Sequence, residues 1–90
     1  MPRIRLTGSM TCAPHRAQQV RDALPDHISL TRAEAGCLRF DVVESAPGVF
    51  DVDELFTDRA AFDAHQERTK ASAWATITAD FPRDYKVQEL

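Results

Sequence analysis

Long hydrophobic runs are missing from this 90-residue chain: its longest apolar stretches are a few residues, far short of the ~20 needed to cross a bilayer. No basic segment followed by an apolar stretch opens it, so a cytoplasmic location is expected. Cysteine is scarce, and Cys12 and Cys37 lack C-x-x-C spacing. With the three histidines scattered, this argues against a zinc, metal-transfer or thiol-redox site. In the cytoplasm the two thiols are expected to be reduced. Basic charge is not in excess either: 11 Lys and Arg against 14 Asp and Glu give a net charge of −3. Phosphate binding needs clustered cations, so nucleic acid is not an expected partner. No internal repeat and no low-complexity segment is visible.

What is present is ordinary globular usage, 43% hydrophobic and 28% charged, enough for one domain over residues 1–90. A chain this short buries only about 60–65% of its unfolded surface. With no disulfide or metal expected, self-association is the remaining source of extra burial.

Period-2 alternation marks the strands. In residues 3–11, Ile4, Leu6 and Met10 alternate with Arg3, Arg5, Thr7 and Ser9. Gly8 falls on the apolar face, where a missing side chain signals a bulge or a close approach. Residues 37–45 place Leu38, Phe40 and Val42 against Arg39 and Asp41. Residues 49–57 place Phe50, Val52, Glu54 and Phe56 against Asp51 and Asp53. Ala46-Pro47-Gly48 between them makes a β-hairpin. Tyr85 to Leu90 alternates weakly as a closing edge strand.

Helical spacing fills the gaps. Pro14 suits a first turn, and Ala17, Val20, Leu24, Ile28 and Thr31 form one stripe up to about Glu34. Pro25 predicts a kink or two short helices, and Gly36 a C-cap. Asp58 caps a helix to about Arg68 carrying Ala61, Phe62 and His65 on one face. A second capped helix starts near Ser72, carries Trp74, Ile77 and Phe81, and ends at Pro82. The order β-α-β-β-α(α)-β is the ferredoxin-like arrangement, an α+β fold with an antiparallel sheet and helices on one face. The other face would carry Arg3, Arg5, Arg39, Asp41, Asp51 and Asp53 with Val43, Val49 and Leu55. Arg3 and Arg5 would pair with the aspartates across strands, and with the aliphatics this suits a homodimer surface; the alternative is a solvated, salt-bridged face.

The stretches E-A-G-C-L-R-F at 34–40, F-D-V-D-E-L-F at 50–56 and A-A-F-D-A-H-Q at 60–66 resemble the antibiotic biosynthesis monooxygenase family, whose members include quinol monooxygenases. The densest matches are Glu34, Gly36, Phe40, Glu54, Phe62 and His65, and the resemblance spans nearly the whole chain in element order. It implies a dimeric α/β barrel, two sheets face to face, with a pocket in each subunit between sheet and helices. It implies oxygenation of a small phenolic or hydroquinone-type aromatic substrate by O2 with no flavin, metal or haem as cofactor. A haem-degrading branch also exists; the first strand here lacks the asparagine that branch uses, although His65 sits near the position of its iron ligand. Ala35 stands where proline is common, and Phe56 where many relatives have tryptophan.

His65 is the candidate base, because an imidazole exchanges protons near neutrality; its alternative is a packed histidine. Glu54 lies between Val52 and Phe56 on the helix-facing side, where a buried charge needs a partner; His65, a helix-end N–H or water would serve, and Glu54 would hold the imidazole's tautomer. Trp74, Phe40, Phe56 and Phe62 would form an aromatic substrate wall, with core packing as the alternative for Trp74. His27 falls in the first helical stripe, as a structural or a pocket histidine. His15, Cys12 and Cys37 carry no expected role, and Ser9, Thr7 and Tyr85 make no nucleophile constellation. The functional reading is a cofactor-independent monooxygenase; the alternatives are a non-catalytic aromatic-ligand-binding or stress-associated dimer, and the haem-binding relative.

Overall fold

The computed structural model describes residues 2–90. Its strands are β1 (Ile4–Thr11), β2 (Cys37–Ala46), β3 (Val49–Phe56) and β4 (Arg83–Glu89). Its α-helices are α1 (Ala17–Arg32), α2 (Arg59–Lys70) and α3 (Ala73–Thr78), and a 3-10 turn at Pro14–Arg16 leads into α1. The sheet order is β2-β3-β1-β4, every neighbouring pair antiparallel. This is the ferredoxin-like arrangement, an open sheet with helices. Among the described residues no helix is long and apolar enough to cross a membrane.

The alternation in β1 and β3 sorts residues as the sequence implies. Ile4, Leu6 and Met10 are buried with Phe50, Glu54 and Phe56. They feed two clusters under the helices: Ile4, Leu6, Phe56 and Phe62, and Met10, Val20, Phe50 and Phe81. Each large apolar side chain so buried contributes roughly 1.5–3 kcal/mol. Asp58 and Ser72 cap α2 and α3, accepting from the N–H groups of Ala61 and Ala75.

Several local expectations are corrected. α1 runs unbroken through Pro25, with β2 and α3 packed along it; tertiary burial of Val20, His27 and Thr31 outweighs the lost backbone bond. Gly36 is not a C-cap: α1 ends at Arg32, with Ala33 as its C-cap. It is glycine because a Cβ there would collide with the Cβ of Ala61 on α2. A bulge between Cys37 and Arg39 turns Leu38 out of the core, leaving it 48% exposed. Helix α3 stops at Thr78, and β4 starts two residues earlier than the alternation suggested. Gly8 does mark a close approach, since a Cβ would run into the Asp84 carbonyl of β4.

On the outer face, Asp53 gathers two arginines. Arg5 binds it bidentately at 3.0 and 3.1 Å, and Arg39 lies 3.4 Å away. Leu55 lies between them in register and is buried. Arg3 and Asp51, expected in such pairs, make none among the described residues, and Asp41 pairs with Arg32 instead.

Candidate functional site

The site lies where the two core clusters meet β4. A cavity of about 200 Å³ is lined by Leu6, Glu54, Arg83 and Tyr85 from the sheet and by His27, His65, Gln66, Thr69 and Trp74 from the helices. Its position follows from the sheet. Tyr85 and Val87 of β4 sit opposite Gly8 and Leu6 of β1, so they share the helix-facing side. They remain 36% and 44% exposed, and the space beside them is the opening.

His65 is held from outside the cavity. Gly36 lets α2 pack against the turn after α1, and His65 follows Ala61 by one helical turn on the same face. That brings Glu34 to it: Nδ1 lies 2.8 Å from Glu34 Oε1. The other carboxylate oxygen of Glu34 accepts from Arg68 Nε at 2.8 Å, and Arg68 Nη2 donates to Thr31 Oγ1 at 2.8 Å. A carboxylate only accepts, so the bond assigns the imidazole proton to Nδ1. The Nε2 lone pair is thereby left for the cavity. Burial pulls the His65 pKa below the ordinary imidazole value, against an opposing pull from Glu34. The ring is neutral at pH 7 and available as a base.

Glu54 faces this lone pair. Its Oε1 is 3.7 Å from His65 Nε2, beyond hydrogen-bond reach, and has no other partner. Desolvation, with Glu34 and Asp53 adding repulsion, pushes its pKa up to about 7. Burial thus favours the neutral, proton-donating form of Glu54. The expectation that Glu54 fixes the imidazole tautomer is corrected: Glu34 does so, on the opposite nitrogen. The Thr69 hydroxyl is 3.5 Å from Nε2. A ligand hydroxyl between Nε2 and Glu54 could donate to the first and accept from the second.

His27 forms the other wall. It stacks on Trp74 with centroids 4.5 Å apart and planes 4° from parallel, and meets Phe40 edge-on at 5.3 Å. Its Nδ1 is buried without a hydrogen bond. Desolvation, with repulsion from His65 and Arg68, lowers its pKa to about 4. His27 and Trp74 also line a second cleft of about 330 Å³ between α1 and α3, so the stack separates two spaces.

Of the aromatic residues expected as a substrate wall, Trp74 lines the cavity. Phe40 and Phe56 stand behind it, their rings 5.7 and 5.0 Å from that of His65. Phe62 lies further off, edge-on to Phe56 in the first core cluster. The sequence reading assigned no site role to Glu34, Arg68, Arg83 or Tyr85. Arg68 sits three residues after His65, on the same helical face. For Glu34, no spacing links the turn after α1 to α2.

The model of the antibiotic biosynthesis monooxygenase family matches residues 3–76. No curated protein matches the sequence. Among solved structures, Rv0793 from Mycobacterium tuberculosis is 26% identical, with a TM-score of 0.75 over 96% of this chain and 92% of that one. NE2512 from Nitrosomonas europaea, of unknown function, is 25% identical, with a TM-score of 0.82 over 100% and 90%. A proposed antibiotic biosynthesis monooxygenase from the same organism shares the fold at 22% identity, with a TM-score of 0.81 over 98% and 89%.

Proposed function

From the premise that the chain belongs to the antibiotic biosynthesis monooxygenase family, we propose that it is a cofactor-independent monooxygenase acting with O2 on a small phenol or hydroquinone. The observation that carries this reading is the 2.8 Å Glu34–His65 bond, which leaves a neutral imidazole with its lone pair toward a small cavity walled by Trp74. His65 Nε2 takes the proton of the ring hydroxyl, and Glu34 stabilises the imidazolium that forms. The phenolate passes an electron to O2, and the resulting radical pair joins as a ring peroxide. Its O–O bond then breaks with loss of water, so one oxygen stays on the ring as a carbonyl and the other leaves as water. The ring, oxidised to the quinone level, supplies all four electrons. Glu54, whose pKa burial raises to about 7, donates to the same hydroxyl in its protonated form while that hydroxyl donates to Nε2. The cavity, about 200 Å³, has room for a single ring.

The working form is a homodimer through the outer sheet face. Support comes from the exposed Leu38 and Val43 beside the Arg5–Asp53–Arg39 cluster and from the small core of a 90-residue chain. The free thiols Cys12 and Cys37 accord with a cytoplasmic setting.

Oxygen uptake by colourless, metal-free protein with a panel of quinols tests the activity; uptake above the autoxidation rate of buffer is expected. His65→Ala should lower kcat/KM by about 10²–10⁴-fold, and an unchanged value removes His65 from the mechanism. Saturable quenching of Trp74 fluorescence without oxygen consumption would instead identify a non-catalytic aromatic-binding dimer. A Soret band on adding haem would identify the haem-binding relative.

A further inference from the structure

We propose that Arg83 selects, within the site read above as a phenol pocket, single-ring phenols that carry an anionic group. The inference rests on that reading for the hydroxyl end of the ligand and on Arg83 for the other.

Arginine in this molecule is almost always neutralised. Arg5, Arg16, Arg21, Arg32, Arg39, Arg59 and Arg68 each have a carboxylate within 4.0 Å. Among the described residues Arg83 has none, and it is the arginine that lines the cavity. The remaining charges of the cavity do not compensate it. His27 and His65 are both held neutral, and the cavity's one carboxyl group, Glu54, is lifted toward neutrality by burial.

The guanidinium is also held in place, with one edge free of any carboxylate. Nη1 donates to the carbonyl oxygens of Thr78 and Phe81, both at 2.9 Å, and Nη2 donates to Thr78 Oγ1 at 2.7 Å. These bonds tie the end of Arg83 to the C-terminal turn of α3. They consume both hydrogens of Nη1 and one of Nη2. Among the described residues Nε–H and the second Nη2 hydrogen meet no carboxylate; the polar side chain beside the guanidinium is the Tyr85 hydroxyl. That Nε/Nη2 pair is the edge with which Arg5 grips Asp53 and Arg21 grips Glu44. A planar anion matches this fork bidentately. Arg83 thus brings a guanidinium without a carboxylate partner, held by three hydrogen bonds, to a cavity that His65 also lines. A hydroxybenzoate-type ligand carries one group for each.

The test uses Trp74, the only tryptophan, as reporter. The full-length protein is titrated with para-hydroxybenzoate and with para-hydroxybenzamide, which keeps the ring and hydroxyl but removes the charge. The acid is expected to bind at least about tenfold more tightly at low salt, the scale of one charge-assisted bidentate contact, and the preference should shrink with ionic strength. Arg83→Met should abolish the preference, and Arg83→Lys should keep a part of it. Because the wild-type ligand pair needs no variant, a misfolded Arg83→Met leaves the test standing. Equal affinity for acid and amide overturns the inference even if neutral quinols are oxygenated. Preference for the acid without oxygen uptake upholds it while the monooxygenase reading fails. Binding of neither overturns it.

Discussion

His27 and His65 are both buried helical histidines on one cavity, 6.2 Å apart, and they are held by opposite means. His65 is gripped by hydrogen bonds through Glu34, Arg68 and Thr31, which fix its tautomer and aim a lone pair. Among the described residues His27 has no side-chain hydrogen bond, and it is fixed by a flat stack on Trp74 and an edge contact with Phe40. A bonded imidazole keeps a directed base, and its carboxylate partner stabilises the charge it acquires. A stacked one is desolvated without compensation, and its lowered pKa makes it a neutral wall. The same residue type therefore serves as reagent on one side and as surface on the other, and the neighbours decide which.

Removing the stack should produce the largest effect. Trp74→Ala strips the partner of His27 and opens the partition between cavity and cleft. It is expected to cost about 3 kcal/mol and to return the His27 pKa from about 4 toward its ordinary 6.5 as water reaches the ring. His65 should titrate as before, because Glu34 and Arg68 are untouched. NMR titration of the two imidazoles checks this; a shift of equal size at both would show that they are not held separately.

The next effect is a pH dependence that the native protein conceals. His27 falls from 6.5 to about 4 on folding, so the unfolded chain binds the proton more readily between those values. Its contribution to stability is full above pH 6.5 and is lost as pH falls toward 4. Burial lowers His65 in the same direction. Glu54 rises from 4.5 to about 7, so there the folded state keeps the proton. Its contribution is full below pH 4.5 and is lost as pH rises through 7. Each term is on the order of 3 kcal/mol, and they oppose one another across roughly pH 4.5–6.5. Glu54→Gln should leave stability that climbs with pH across this window. His27→Phe should weaken the climb or reverse it. Urea midpoints in a pH series read both slopes, and parallel curves for the two variants would contradict the assignment.

How much of this was legible in the sequence follows from the range of the forces. Alternation in β1 and β3, the Pro47-Gly48 turn and the Asp58 and Ser72 caps act over a few residues, and the structure keeps them. Pro25 failed as a signal because packing along α1 outweighs a local penalty. Leu38 failed because a one-residue bulge reverses a face that periodicity assigns. The site was half visible. His65 and Glu54 stood out as polar residues on apolar faces, whereas Glu34 and Arg83 lie on a turn and an edge strand where charge is unremarkable. Only the long-range packing of Gly36 on Ala61 reveals what Glu34 touches, and only the lack of a carboxylate among the described residues separates Arg83 from its neutralised counterparts.

The smallest expected effect tests whether the two modes of support are independent. Thr31 is fully buried, and its hydroxyl joins them: it donates to the His27 carbonyl at 2.8 Å and accepts from Arg68 at 2.8 Å. Thr31→Val keeps the shape and removes both bonds. Arg68 is partly exposed, so water can take the released donor while its Nε stays on Glu34. The loss should therefore be about 1 kcal/mol, seen as a fall in Tm of about 4–8 °C for a domain of this size. Combined with Trp74→Ala, the two costs should add within about 0.5 kcal/mol if stack and network act separately. A coupling well above that would mean that the hydroxyl carries strain from one histidine to the other, and that reagent and wall are a single unit.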